Sequence, residues 1–239
     1  MNETSGKNSG ILSMQSGLMR GLTQAVNVVL LSFWFWVGCI PVVTIGASLI
    51  AAYRVALKMT YEEDDYVAVT SEYWKGFRQN WKHGILYTLL AGAALYSAWM
   101  AWQLFEVSAG NPIGFLLLAV LLVFVVALHA LYTFPLEARY TQSVRITLRN
   151  ARRMVRVYWQ RTFVIVGLLA IEFLFFFTVN SVLVLVGRVF GPVVFILTIS
   201  GVITPALKKI EKENGVFKVK TEYNEYEGKS VVIASGVKH

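Results

Sequence analysis

The sequence predicts an all-α membrane protein, a polytopic bundle of about six transmembrane helices with amphipathic helices on the cytoplasmic side. The first observation behind this prediction is composition: 56% of the 239 residues are hydrophobic and only 15% are charged, which is outside the usual balance of a soluble domain. The second is charge placement. All but one of the 22 lysines and arginines fall in four segments that alternate with long apolar stretches, a pattern typical of membrane topology.

Windows of about 20 apolar residues, the length that crosses the hydrocarbon core of a bilayer, identify four clear spans at 22–40, 84–105, 113–136 and 162–186. A fifth predicted span covers residues 189–207. Pro192 lies near its start and Pro205 closes it. We expect both prolines to lie at helix ends, where proline is tolerated.

The segment 44–60 is apolar at first but then carries Arg54 and Lys58. It is short for a full crossing unless those two long side chains reach back to the membrane surface. A short sixth helix is the favoured interpretation, and a re-entrant half-helix is the alternative.

Charge counting orients the chain, because lysine and arginine are enriched on the cytoplasmic side. Two lie before residue 22, five in 54–82, seven in 139–161 and seven after residue 205, whereas the opposite side has only Arg188. We therefore expect a multi-pass protein of the cell membrane with both termini in the cytoplasm. Its predicted parts are a polar N-terminus (1–21), a helix bundle (22–207) with cytoplasmic loops at 61–83 and 137–161, and a charged tail (208–239).

The loop 137–161 has two stripes at helical spacing. One is apolar and includes Tyr140, Val144 and Leu148, and the other consists of Arg145, Arg149, Arg152 and Arg156. This pattern predicts a single helix in the membrane interface with its arginines near anionic lipid headgroups. The alternative is a solvated extension of a transmembrane helix.

The loop 61–83 has a smaller version of the same pattern, with aromatic residues beside basic ones. Such a surface is typical of the headgroup boundary, and a partner protein is the alternative. The lipid-facing or partner-facing candidates here are Trp74, Lys75, Arg78, Trp81 and Lys82.

Polar residues within the predicted spans are the default functional candidates, because they are costly in lipid. They are Asn27, Arg54, His129 and Glu172. Their depths would allow mutual contact in a proton relay or substrate site, but a structural role between helices is favoured. We expect Arg54 to neutralise Glu172.

Several classes of function are disfavoured. The chain has no phosphate-binding loop, no zinc-protease helix and no nucleophile elbow, so we do not expect an enzyme. No cofactor or metal site is predicted. The basic residues flank apolar spans and form no nucleic-acid-binding motif, so we expect anionic lipids rather than nucleic acid as partners.

Five short segments carry a resemblance to a known family. They are PVVTIG at 41–46, AAYR at 51–54, FRQNWK at 77–82, YTFPL at 132–136 and LRNA at 148–151. With these segments the chain resembles the YesL family of small bacterial membrane proteins. The resemblance implies an association with carbohydrate ABC importers, and hence with their permease or ATPase subunits.

The functional expectation is a non-catalytic membrane accessory protein that assembles with or modulates a carbohydrate ABC importer. One alternative is a self-sufficient small transporter or channel that uses the four intramembrane polar residues. A third hypothesis is a lipid-binding scaffold.

Overall fold

A computed structural model of the protein describes residues 4–61, 67–108, 113–140, 142–178 and 181–214, and these ranges contain helices and no strand. The all-α prediction is confirmed. In chain order, the α-helices of the described ranges are α1 (Thr4–Cys39), α2 (Ile45–Tyr61), α3 (Val69–Val107), α4 (Ile113–Arg139), α5 (Val144–Val157), α6 (Trp159–Thr178) and α7 (Ser181–Asn214), with a short 3₁₀ turn at Val42–Thr44 before α2.

Length and composition make five segments of the described chain suitable for crossing a membrane, and a sixth if α5 and α6 together count as one bent unit. The five are Gly21–Cys39, Val42–Thr60, Val69–Val107, Ile113–Arg139 and Val186–Lys208. A polytopic helix bundle of five or six apolar helices is therefore the architecture that the sequence predicted.

Helix α2 lies at the centre of the bundle and contacts α1, α3, α4 and α7. It is a continuous helix of 17 residues, as the favoured interpretation of segment 44–60 expected. Ala47, Ile50, Ala51 and Val55 on it are fully buried. Because four helices pack around it, α2 lies in the middle of the buried core.

Glycines allow α2 and α3 to approach closely. A Cβ atom on Gly84 would overlap the backbone of Ala47, and one on Gly76 would crowd Ala51. The backbone N–H of Gly46 also donates to Thr88 Oγ1 at 2.8 Å. These contacts show that α2 runs antiparallel to the first half of α3.

Helix α3 begins at Val69 and continues without a break into the apolar residues after Gly84, so residues 69–83 of the predicted cytoplasmic loop are helical. The basic and aromatic residues of that predicted loop are therefore part of one long helix. Its second half packs on α4, and Ala98 and Ala101 are buried there beside Ala119.

The last two helices divide at a different place from the one predicted. Helix α6 ends at Thr178 and α7 starts at Ser181, so Arg188 lies inside α7 rather than in a connection. Pro192 and Pro205 are also inside α7, and the expectation that they lie at helix ends was wrong. Gly187 and Arg188 resemble a turn in sequence, but the apolar residues on both sides of them continue one helix.

The prediction of a single helix across 137–161 was also wrong. Helix α4 continues through Pro135 to Arg139, α5 covers only Val144–Val157, and α5 meets α6 at an angle of 90°. The region is divided twice: α4 ends at Arg139 before α5 begins at Val144, and α5 ends at Val157 before α6 begins at Trp159.

At both ends of the chain a helix continues beyond the predicted span. Helix α1 already begins at Thr4, so most of the predicted polar N-terminus belongs to it. Helix α7 reaches Asn214, and residues 215–239 of the predicted charged tail lie outside the described residues.

Candidate functional site

The most completely hydrogen-bonded acidic group in the described chain is Glu137, near the end of α4. Only 1% of its side-chain surface is exposed. His83 Nδ1 lies 2.5 Å from Oε1, while the hydroxyls of Tyr87 and Thr147 each donate to Oε2 at 2.8 Å. The side chain of Glu137 therefore joins three helices, because these partners lie on α3 and α5.

The local sequence explains how this cluster forms. His83 and Tyr87 are four residues apart, so they lie on the same face of α3. Helix α4 runs antiparallel to α3, which brings its last turn next to the start of the apolar part of α3. His83 is 39% exposed, so the cluster reaches the protein surface on that side only through the imidazole.

Chemically, the Glu137 cluster is suited to holding helices together. Both carboxylate oxygens already have hydrogen-bond donors, and a buried carboxylate is stable only when it is paired in this way. Among the residues that the structure describes, no group of three or more histidine, cysteine, aspartate or glutamate side chains could hold a metal ion.

A second polar cluster connects α2 with the first turn of α3. The carboxylate of Glu72 lies 3.1 Å from Arg54 Nε and 3.0 Å from Lys58 Nζ. Arg54 also donates from Nη1 to Gln79 at 2.9 Å. Two cations on successive turns of α2 therefore share one acidic partner on α3.

This cluster corrects the expected pairing of Arg54 with Glu172. Arg54 binds Glu72 instead, because α2 packs on the first half of α3. Glu172 is half-buried on α6, and its Oε1 accepts a short hydrogen bond from the hydroxyl of Thr198 on α7. Its Oε2 is buried and has no hydrogen-bond partner among the described residues.

The other two intramembrane candidates lie apart from these groups. His129 is half-buried, and its Nδ1 is 2.8 Å from the carbonyl oxygen of Val125 one turn earlier in α4. Asn27 lines an open groove between α1 and residues 67–71. Within the described ranges, no hydrogen bond or ion pair joins any two of Asn27, Arg54, His129 and Glu172, so the structure does not combine them in one site.

The surface candidates in the first half of α3 divide into two groups. Lys75, Arg78, Trp81 and Lys82 are exposed, whereas Trp74 is half-buried. The ring of Trp74 contacts Trp34 of α1 edge to face, with 5.4 Å between the ring centroids. Trp74 therefore contributes to the packing between α1 and α3, and the basic residues remain available at the surface.

All four predicted arginines of α5 are exposed. The buried face of α5 consists of Thr147, Asn150, Ala151 and Met154. At 100° per residue this face is on the side of the helix opposite the arginines. The predicted apolar stripe was therefore displaced, since Val144, Leu148 and Val155 are only half-buried and two of the buried residues are polar.

Sequence reasoning missed Glu137, His83 and Glu72 as site residues. One available signal was the position of the first two: His83 immediately precedes one predicted span and Glu137 immediately follows the next. Antiparallel neighbouring helices place such residues at the same end. Glu72 gave no comparable signal, because its partners depend on how far α2 is offset along α3.

Comparison with known proteins gives one match. Residues 28–102 match a family model described as "Protein of unknown function, DUF624". We found no match among curated proteins or solved structures. The matched segment contains α2, its two cations and most of α3. Over residues 28–102 this match agrees with the resemblance, since the matched family includes the YesL-like small membrane proteins.

Proposed function

We propose that this protein is a non-catalytic membrane accessory protein that assembles with a carbohydrate ABC importer through its apolar hairpin. The apolar hairpin is defined as residues 89–107 of α3 and 113–130 of α4. The importer as partner follows from the resemblance to YesL-like proteins, and the hairpin as contact surface follows from its exposure.

The observation that carries the proposal is that the chain leaves the hairpin largely uncovered. Only 6% of the most apolar window of α4 is buried inside the protein. Large apolar side chains point outward around both helices, including Leu89, Trp99, Leu117 and Phe124. Extended apolar surfaces of this kind are suited to lipid and to the helices of another membrane protein.

A shallow groove between the two helices favours a helical partner. Its volume is about 680 Å³, and its lining includes Ala98, Ala119 and Ala127 beside Trp99 and Trp102. Small residues let a neighbouring transmembrane helix approach closely, and close approach is a main source of helix association in membranes. We propose that a permease helix occupies this groove.

Co-purification from native membranes tests the assembly. The tagged protein should bring down permease or ATPase subunits of an importer, and Ala127→Leu, which fills the groove, should reduce their recovery several-fold. Ala170→Leu is the matched control, because Ala170 is also exposed but lies on α6. Recovery of the protein only as a homo-oligomer would contradict the proposal.

A self-sufficient transporter is the second candidate, and the unpartnered Oε2 of Glu172 favours it. A buried carboxylate oxygen without a donor is costly and is more easily retained if it binds a passing proton or cation. Solute flux into proteoliposomes that contain only this chain, abolished by Glu172→Gln, would support this function. Absence of flux for a range of sugars and cations would rule out the transporter function.

A further inference from the structure

Helix α5 has one strongly cationic face. Arg145, Arg149, Arg152 and Arg156 are spaced four, three and four residues apart, all are exposed, and α5 has no acidic residue. Within the described part of the chain, no ion pair or hydrogen bond joins these four side chains to another residue. The row extends about 16 Å along the helix at 1.5 Å per residue, so its charges can bind a ligand from outside the chain.

The opposite face fixes α5 to the rest of the protein. Thr147 donates to the buried Glu137 at 2.8 Å, and Met154 is 1% exposed in the core. At its C-terminal end α5 meets α6 at 90°. Helix α6 is an apolar helix of 20 residues, and where it enters the hydrocarbon core the 90° angle places α5 along the membrane surface.

The surface beside the arginine row is apolar and aromatic. Val157 is 65% exposed, Trp159 56% and Phe163 69%, and the rings of Trp159 and Phe163 contact edge to face. Ile146 and Val157 lie roughly a quarter to a third of a turn from the arginine row at 100° per residue. Tryptophan at the boundary between a basic helix and an apolar span is typical of the headgroup region.

We propose that α5 binds the anionic phospholipids of the cytoplasmic leaflet, with its four arginines on lipid phosphates and its apolar flank in the acyl boundary. Arginine forms paired, charge-assisted hydrogen bonds with phosphate oxygens. A negatively charged leaflet also attracts each arginine. Neutralising one arginine should therefore weaken binding about five-fold. This proposal is independent of the importer, since it concerns the purified chain and lipid alone.

The test uses the full chain, purified and placed in nanodiscs of phosphatidylcholine with or without phosphatidylglycerol. Retention of phosphatidylglycerol is measured by native mass spectrometry across a salt series. The wild type should retain phosphatidylglycerol over phosphatidylcholine, and Arg149→Gln with Arg152→Gln should lower that preference by about 25-fold. Arg149→Lys with Arg152→Lys is the matched control and should keep most of it, because the charge is unchanged.

Circular dichroism and melting temperature verify that the glutamine variant is folded, as expected for exposed positions. Equal retention of the two lipids by the wild type would overturn the proposal, as would unchanged retention by the glutamine variant. If the arginines affected only the recovery of a protein partner and not lipid retention, α5 would bind an acidic protein surface and the proposal would be wrong. Failure of the importer co-purification would leave this result unaffected.

Discussion

Helices α2 and α4 are both apolar, but the more apolar of the two is the less buried. The mean hydropathy of the α4 window is 2.9 and that of the Val42–Thr60 window is 1.5, yet 6% of the first is buried inside the protein and 56% of the second. In a soluble protein the opposite order would be expected. In a membrane, lipid solvates leucine and valine as well as a protein interior does, so hydropathy does not select the helix that lies inside.

The size of the side chains explains why α2 is buried in the bundle and α4 is not. Helix α2 presents Gly46, Ala47, Ala51 and Ala56 to its neighbours, and these residues allow close backbone contact. Helix α4 instead carries leucine, valine and phenylalanine side chains on most of its surface. Close packing, not the removal of apolar surface from water, therefore determines which helix becomes the core.

The largest effect is expected at the contact between α2 and α3. Gly84→Val would place a branched side chain against the backbone of Ala47, which cannot turn aside as a flexible side chain can. We expect this variant to lose about 4 kcal/mol of unfolding free energy or to fail to fold. Gly92→Val on the same helix is the control, because nothing lies within 4 Å of a Cβ there. Equal unfolding curves in detergent would contradict close packing at Gly84.

The second-largest effect is expected from a comparison of the same substitution on α2 and on α4. Leu57 on α2 is 2% exposed and Leu121 on α4 is 57% exposed. Leu57→Ala should cost about 3 kcal/mol because it leaves a cavity, whereas Leu121→Ala should cost less than about 0.5 kcal/mol. Reversible unfolding in mixed micelles measures both. A similar loss for the two variants would show that α4 is covered in the folded state.

A smaller effect is expected at Glu137, which links α4 to α3 and α5. Glu137→Gln keeps the shape but removes the charge that three donors bind, and we expect a loss of about 2 kcal/mol. Glu106→Gln is the matched control, since Glu106 is exposed and accepts one hydrogen bond, from Trp102 Nε1 at 2.7 Å. Thermal melting in detergent should separate the two variants. If it does not, Glu137 contributes little to stability.

The smallest effect concerns the corrected partner of Arg54. A double-mutant cycle with Arg54→Gln and Glu72→Gln should give a coupling of about 1 kcal/mol, because the pair is only partly shielded from solvent. The same cycle with Arg54→Gln and Glu172→Gln should give a coupling near zero. A larger coupling with Glu172 would restore the pairing that depth alone predicted.

The helices and their approximate number could be predicted from the sequence, because an apolar run of about 20 residues satisfies its backbone hydrogen bonds in lipid by forming a helix. The hydrogen bond of Thr147 to Glu137 could not, since it depends on the path of the chain through residues 140–143. The pairing of Arg54 failed for a related reason. The depth of a residue along its span restricts which residues can meet. The offset between α2 and α3, however, is set by the glycine contacts, and the pattern of apolar residues does not predict it.

The predicted buried face of α5 differed from the observed one because the prediction used hydrophobicity as its only signal. Thr147 and Asn150 are buried polar residues, and their burial depends on partners from other helices. The arginine row was easier to predict, because four long cationic side chains at helical spacing are stable only where water or an anionic surface reaches them.

The length of α3 has a mechanical consequence. With 39 residues, this unbroken helix is about 58 Å long at 1.5 Å per residue, roughly twice the thickness of the hydrocarbon core. For a straight rod of that length, a tilt of about 10° at the hairpin corresponds to a sideways displacement of about 10 Å at the opposite end. Glu72 lies at that end, so its ion pairs with α2 and the close glycine contacts of α3 oppose such a tilt.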